Sequence, residues 1–419
     1  HTDDHQNAEK RQSSYKKHHS TETALLVVKI QDDILSSIDQ QNCVILLLLD
    51  LSAAFDTVDH QTLLNRLNST FGIKDHALNW ISSYFTNRRQ AVIIEGCKSS
   101  ETSLTCSVPQ GSVLGPKFFL DYVSPLGSLI RSFGLEAHFY ADDTQIYIPF
   151  KPGNETSAIE NLEACVAAVR TWMANNFLKL NDDKTELIFL GTTQNLSNIR
   201  TSEVKVGNCT ISSSTSVRNI GAIFDENMKM NDQIKATCKS AWYRLHQIGK
   251  MRSYLSQEDT KSIIHAYVTS ILDYNNSLLM GCPDYMLNML QRVQNSAAKL
   301  ICRAGKYDHV TNLLKDLHWL PIASRIVFKI LMLTFKALNN EGPSYLKDLL
   351  IFKNTRSLRS SGTLQLIVPK TRLKTYGDRA FRYSAPRLWN DLPLSLRQST
   401  STMTFKKNLK TYLFKQVYD

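Results

Sequence analysis

Three aspartates give the first chemical suggestion in this sequence. Asp50 closes the apolar run CVILLLL, and Asp142 and Asp143 stand side by side in the tight connection between two alternating stretches, residues 135–140 and 144–150. Carboxylate oxygens are the preferred ligands of hard divalent cations such as Mg²⁺. Two such ions a few ångströms apart clamp the attacking and leaving oxygens of an in-line phosphoryl displacement, so the trio suits nucleotidyl transfer. Each part also has a plainer reading. Asp50 alone serves as a strand-end or helix-cap residue, and tandem acids in a turn bond locally to backbone. Their conjunction favours the metal-binding reading.

Positioning these groups takes a buried strand, a hairpin and the helices that cover them. Residues 44–49, with Cys43 in front, read as the strand, since the run is far short of the roughly 20 residues that cross a bilayer. Ahead of it the first twenty residues are polar and irregular. Residues 21–38 then place Ala24, Leu25, Val28, Ile34, Leu35 and Ile38 at near-helical spacing behind Ser20 or Thr21 as the cap. After Asp50 come a turn through residues 56–60 and helices around 63–67 and 77–85. Residues 90–95 and 103–107 read as a hairpin closing into the Pro109, Gln110, Gly111 loop, which opens a helix near Val113. An amphipathic helix over 159–177, a turn over 181–183 and a strand over 185–190, stopped by Gly191, complete an α/β-like alternation. Beyond about residue 225 the pattern turns mostly helical, over 231–251, 257–271, 285–302 and 322–338. In the last 70 residues Pro369, Pro386 and Pro393 interrupt every pattern. No repeat of 20–50 residues is visible.

With 419 residues, 42% hydrophobic and 21% charged, the chain has enough apolar material for two or three cores. None of the eight cysteines (Cys43, Cys97, Cys106, Cys165, Cys209, Cys238, Cys282, Cys302) falls in a CxxC or CxxxC pair, which argues against a zinc knuckle or redox dithiol and for a reducing compartment. No charged segment leading into an apolar one opens the sequence, so secretion is not expected. The start at His1 points to a fragment or processed product. The net charge of +11 is concentrated: residues 351–419 hold 14 Lys/Arg against 3 Asp, and the remainder sums to zero. A basic tail on a neutral body suits a phosphate backbone, whose condensed counterions Lys and Arg release. A solvated basic surface is the alternative.

Four motifs, LLLLDLSAAFDTVDH, SVPQGSVLGP, HFYADDTQIY and LKLNDDKTELIFLG, follow one another in order. In order and rough spacing they resemble the palm motifs of reverse transcriptases from non-LTR (LINE-type) retrotransposons, most of all the jockey-like group. NIGAIFDENMKM, RVQNSAAKLI, HWLPI and APRLWNDLP carry the resemblance over nearly the whole chain. It implies an α+β, right-hand polymerase: a palm with partial fingers over 1–195, a connecting hairpin region over 196–225, an all-helical thumb over 226–305, and a helical, basic nucleic-acid-binding segment over 306–419. The implied activity is RNA-directed DNA polymerisation from dNTPs onto a DNA primer 3′-OH along an RNA template. It would use two Mg²⁺ ions, with Mn²⁺ as a substitute. The element's RNA and protein would form a ribonucleoprotein in nucleus and cytoplasm, with no membrane partner, and the oligomeric state is left open.

Residue by residue, the resemblance puts the metal-binding acids on Asp50, Asp142 and Asp143, with the backbone carbonyl of Leu51 as a further ligand and Asp142 as the more direct of the tandem pair. Phe55 falls at the aromatic gate beneath the sugar of the incoming nucleotide, where a ring would exclude a ribose 2′-OH; a core phenylalanine is the alternative. Gln110 and Gly111 match the loop that approaches nucleotide or template, while Pro109 and Gly115 look structural. Lys184 matches the lysine that protonates or stabilises leaving pyrophosphate, against a solvated turn lysine. Tyr140 either touches the primer end or is a half-buried strand residue. Asp59 and His60 fit the pattern without a catalytic role.

Some features depart from the family. Ser107 stands where glycine is usual, and Lys117 where an apolar residue is. Relatives carry, upstream of the segment that QSSYKKHHSTETAL resembles, a fingers region with a basic residue for the triphosphate, and an endonuclease domain, both expected to lie outside this sequence. Cys302, His309 and His318 lack the spacing of the zinc knuckle found in some relatives, and no zinc is expected. Arg, Lys, Tyr and Trp interleaved over 372–389 suit phosphate contact and base stacking. Two other readings stand beside the polymerase: an RNA-dependent RNA polymerase, disfavoured by Phe55, and a catalytically inactive nucleic-acid-binding remnant, whose RNA binding would survive loss of Asp142.

Overall fold

Seven apolar residues in a row leave no polar face, so Cys43–Leu49 can be a strand only where both faces are covered. In the computed structural model of the protein it is the buried strand β1 of a four-stranded sheet. The structure describes residues 9–25, 29–305, 307–353 and 364–419. Residues 1–8 of the polar opening, Val28 of the expected first helix, and Arg356 and Arg359 of the basic stretch lie outside the described residues. The other strands of the sheet are β2 (Glu136–Tyr140), β3 (Asp143–Phe150) and β4 (Glu186–Leu190), in the spatial order β4-β1-β3-β2. Strands β2 and β3 pair antiparallel, from Glu136 opposite Tyr147 to Tyr140 opposite Asp143. The expected three-residue turn is therefore a two-residue one, Ala141 and Asp142, and Asp143 already belongs to the ladder. The helix Glu155–Asn175 buries Ala158, Leu162, Cys165, Val169 and Met173, one stripe at helical spacing, and packs against β3.

The chain divides into two compact units. One contains the residues up to His19, Val44–Phe189 and Leu196–Ser214, and the other Ser20–Cys43, Leu190–Asn195 and Thr215–Asp419. In the first unit the polar opening is more ordered than its composition suggests. Gln12 forms a parallel bridge to Phe139, and the Ser13 N–H donates to the Phe139 carbonyl at 3.0 Å, which lays residues 11–13 alongside β2. The hairpin expected over 90–107 is present but shorter. Arg89–Gln90 pairs with Thr102–Ser103 and Ile93–Ile94 with Cys97–Lys98 around Glu95 and Gly96, both at positive φ as a tight hairpin turn requires. Two further hairpins, Glu203–Val206 with Cys209–Ser212 and Ser216–Asn219 with Ala222–Asp225, fill the region read as connecting.

His138 on β2 is 1% exposed, with Nε2 3.0 Å from the Ser13 hydroxyl. Burial, helped by the charges of Arg11, His19 and Lys16, pushes its pKa down to about 3. Between its ordinary value of 6.5 and about 3 the unfolded chain binds a proton that the folded one refuses. The contribution to stability is thus complete above pH 6.5 and is lost as pH falls, by up to ~1.4 kcal/mol per pH unit. Urea unfolding at pH 7.5, 5.5 and 4.5 should show a shallower acid loss for His138→Gln than for the unsubstituted chain. Equal slopes would remove His138 as the cause.

The second unit contains the hairpin Ser216–Asn219 with Ala222–Asp225 and is mostly helical from residue 231 on, as the periodicity predicts. Asn231–Met251 and Ile322–Leu338 match the expected bounds, Asp284–Cys302 begins one residue early, and the run over 257–271 is Gln257–Ile264, a π-helical turn His265–Thr269 and Ser270–Asp273. The expected first helix consists of Thr21–Leu25, capped by the Ser20 hydroxyl on the Thr23 N–H at 3.1 Å, and Lys29–Asp39. The C-terminal stretch read as patternless contains the helices Phe381–Asn390 and Thr402–Tyr418. Both pack on Ile322–Leu338, where Phe335 stacks on Phe405 at 4.2 Å and Trp389 lies 5.9 Å from Phe405.

This packing narrows the reading of residues 372–389 as a stacking and phosphate-binding stretch. Trp389 and Tyr376 are buried, Arg379 donates to the Met228 and Met280 carbonyls, and Arg382 is bound to Asp32 and Asp33. Tyr376, Phe381 and Trp389 are spent on the core, while Tyr383 is half-buried. Arg372, Lys374 and Arg387 remain exposed. No helix among the described residues is long and apolar enough to cross a membrane.

Candidate active site

The two-residue turn between β2 and β3 projects Asp142 and Asp143 from the end of the ladder, and Asp50 follows directly on the neighbouring strand β1. All three carboxylates are half-buried. Burial raises the pKa of Asp142, and the charge of Asp50 adds to it. Asp143 is pushed up to about 6 by burial first and then by Asp142 and Asp50. Lys184 works in the opposite direction on both, so the four groups share one electrostatic neighbourhood. Its Nζ lies 3.3 Å from Asp50 Oδ2, carried there by the 3-10 turn Asp182–Lys184. Leu51 continues from Asp50 into a short antiparallel pairing with Leu180, which brings the segment ahead of Lys184 up to the acid.

Asn181 was read only as a turn former, yet it binds Asp50 twice. Its backbone N–H donates to the Asp50 carbonyl at 2.9 Å and its side-chain amide to Asp50 Oδ2 at 3.4 Å. Nothing in the residue type distinguishes it from an ordinary turn asparagine. The signal is its position, directly after the strand that pairs with Leu51.

The donor set is all hard oxygen, and after burial the like charges of Asp50 on Asp142, and of Asp142 and Asp50 on Asp143, raise both acids, so charge and ligand type fit a divalent cation. The expected ligand set is not drawn together as a closed cage. Among the described residues no three His, Cys, Asp or Glu are gathered to hold a metal ion, and Asp50 is engaged by Lys184 and Asn181.

The loop carrying Gln110 and Gly111 is fastened to the segment after Asp50. The Phe55 carbonyl accepts from Val108 N–H at 2.9 Å, the Val58 carbonyl from Ser107 N–H at 2.8 Å, and His60 Nε2 meets the Ser107 carbonyl at 2.8 Å. Asp59 caps the helix His60–Ser69 through the Thr62 N–H at 2.7 Å. Asp59 and His60 thus have structural duties. Gln110 and Gly111 are exposed, and Gly111 has φ +78. Gly115 is needed for space, since a Cβ there would meet the Pro109 carbonyl oxygen at 2.7 Å. Phe55 is half-buried and stacks on Phe119 at 4.9 Å.

The two unusual residues also find explanations. Lys117 pairs with the buried Asp121 at 3.2 Å. Ser107 has φ +89, a conformation that favours glycine. Ser107→Gly should therefore stabilise the protein by about 1 kcal/mol, the relief of left-handed strain exceeding the entropy gained by the unfolded chain. A thermal midpoint that fails to rise would contradict this.

Carboxylates at a strand end and a hairpin turn of one sheet, with a lysine beside them, are the arrangement expected of a polymerase palm. A family model described as "Reverse transcriptase (RNA-dependent DNA polymerase)" matches residues 2–224, more than half of the sequence, and the chain belongs to that family. Its relatives include polymerases of jockey and other Drosophila transposons, in keeping with the resemblance of its motifs to the jockey-like, non-LTR group. It is similar to the probable RNA-directed DNA polymerase from transposon BS of Drosophila melanogaster, 22% identical over 330 residues, covering 75% of this chain and 35% of that protein. The RNA-directed DNA polymerase from mobile element jockey of Drosophila funebris is 23% identical over 287 residues, covering 66% of this chain and 30% of that protein. The chain thus spans about a third of the length of these relatives. Among solved structures, apo telomerase from Candida tropicalis is similar at a TM-score of 0.35, with 12% identity over 77% of this chain and 56% of that one.

Proposed function

We propose that this chain is the polymerase segment of an RNA-directed DNA polymerase of a non-LTR retrotransposon, adding dNTPs to a primer 3′-OH opposite an RNA template. The observation that carries this is the convergence of Asp142 and Asp143 with Asp50 across neighbouring strands, with Lys184 3.3 Å from Asp50. Asp50, Asp142 and Asp143, with the Leu51 carbonyl, would hold two Mg²⁺ ions, which supply positive charge to the attacking and leaving oxygens. Lys184 is the group to donate a proton or charge to departing pyrophosphate. Phe55, braced from behind by Phe119, would block a ribose 2′-OH by bulk alone. Gln110 and Gly111 would meet the nucleotide or template on an exposed loop.

The helices Asn231–Met251 and Asp284–Cys302, which pack together, would serve as the thumb and hold the duplex through its backbone. RNA phosphates would be met by the exposed Arg372, Lys374, Arg387, Lys406 and Lys407. An inactive remnant is disfavoured because Asp50, Asp142, Asp143 and Lys184 are all retained and share one electrostatic neighbourhood.

Primer extension on an RNA template with Mg²⁺ tests the proposal: dNTPs should be incorporated and NTPs refused. Equal use of both would reassign the enzyme as an RNA polymerase. RNA binding without any synthesis would favour the remnant.

A further inference from the structure

The turn that presents Asp142 contains a conformation its sequence does not favour. Ala141 has φ +57, the left-handed region that a residue with a Cβ enters reluctantly, and glycine is the usual occupant of the first position of such a turn. Something outside the hairpin has to hold it, and the structure supplies Gln12. This residue is 3% exposed, and its side-chain amide grips Ala141 on both sides of the α-carbon. Oε1 accepts from the Ala141 N–H at 3.1 Å, and Nε2 donates to the Ala141 carbonyl at 3.3 Å.

The grip is itself fixed. The same Oε1 accepts from the Ser14 N–H at 3.0 Å, and the backbone on either side of Gln12 is docked to Phe139. The Ser13 N–H donates to the Phe139 carbonyl at 3.0 Å, and the Phe139 N–H to the Arg11 carbonyl at 3.1 Å. A short segment more than 120 residues upstream in sequence thus runs beside β2 and reaches, through one amide, the residue immediately before Asp142.

We infer that Gln12 is a positioning residue for the polymerase site: its amide holds Ala141 in the left-handed conformation, so that Asp142 and Asp143 are presented together toward Asp50. This rests on the polymerase reading for its catalytic consequence and on the hydrogen bonds alone for its structural one. Asparagine, one methylene shorter, cannot span both bonds while its backbone stays on Phe139, and methionine fills the space without any hydrogen bond.

The test uses the whole chain with Gln12→Met and Gln12→Asn, either of which carries it if the other fails to fold. In each, amide hydrogen exchange at Ala141 should speed up at least tenfold. The kcat for dNTP addition, normalised to the folded fraction measured by circular dichroism in the same sample, should fall 10- to 100-fold while the KM for dNTP stays within threefold; the normalisation removes the fall in apparent kcat that loss of folded protein alone would give. Adding Ala141→Gly to the variant should recover at least threefold in kcat, because glycine takes up the turn without the grip. Unchanged exchange and unchanged kcat in a folded variant would overturn the inference, as would a loss of kcat that Ala141→Gly leaves untouched with Ala141 still protected. If the unsubstituted chain makes no DNA, the polymerase reading fails separately, and the exchange at Ala141 still decides whether Gln12 holds the turn.

Discussion

Asp142→Ala is expected to lower primer extension by roughly 10³- to 10⁴-fold, because a ligand to catalytic divalent ions contributes several kcal/mol of transition-state stabilisation and each 1.36 kcal/mol is tenfold in rate. The fold should be indifferent to the change. Asp142 is half-buried at the second position of a two-residue turn, and the ladder from Tyr140 opposite Asp143 onward does not depend on its side chain. Removing it also relieves repulsion, since burial and the charge of Asp50 already raise its pKa. The thermal midpoint should therefore hold or rise while synthesis is lost, and RNA binding should persist. A variant that still extends primers within about tenfold of the parent would rule out the carboxylate assignment. Asp143→Ala should be the milder lesion if Asp142 is the more direct ligand.

The second large effect is on stability. Asp32 on the helix Lys29–Asp39 is fully buried, and its carboxylate accepts from the Arg382 backbone N–H at 2.9 Å and from its guanidinium at 2.6 Å. Burial pushes the Asp32 pKa up, against the pull of the guanidinium. Arg382→Ala takes that pull away and leaves a buried acid with only one of its donors, a change that costs about 3 kcal/mol, the lower part of the range for broken buried pairs because Arg382 is about one-third exposed. Against a total stability of order 5–15 kcal/mol this is a large fraction. Replacing both residues by leucine should recover most of the loss, since the desolvation of the two charges disappears with them. Urea denaturation of the three proteins decides the matter: an Arg382→Ala midpoint equal to the parent's would show that the pair contributes nothing net.

Where the sequence was legible, a single local rule was enough. The bounds of Asn231–Met251 and Ile322–Leu338 follow from apolar spacing alone, and the acids of the hairpin turn follow from strand alternation broken by two adjacent aspartates. Where it was not, the deciding partner lay far away in the chain. Residues 11–13 look like a polar leader because their structure comes from pairing with Phe139. The helix Phe381–Asn390 was hidden by Pro386, which normally ends a helix but is buried inside this one, in a segment held by Trp389 in the core and Arg382 on Asp32. The same distance hid Asn181, and it assigned Arg379 and Arg382 to RNA when the fold uses them internally. Composition reports how many cations a segment has, and only tertiary partners report which of them face water.

The pairing of Asp32 with Arg382 also sets an order of events during synthesis. Arg382 follows its partner by 350 residues, so at about 5–20 residues per second the helix Lys29–Asp39 leaves the ribosome roughly 20–70 seconds before the residue that satisfies it. Over that interval its apolar face, with Ile34, Leu35 and Ile38, has no completed core to enter. The unit that receives it is held further by the Tyr418 hydroxyl, which donates to the Trp319 carbonyl, later still in the chain. A nascent chain of this kind needs that helix shielded until Arg382 has been made. A stop codon anywhere before about residue 382 would leave that helix unhoused, a product destined for degradation or aggregation rather than a shorter working enzyme.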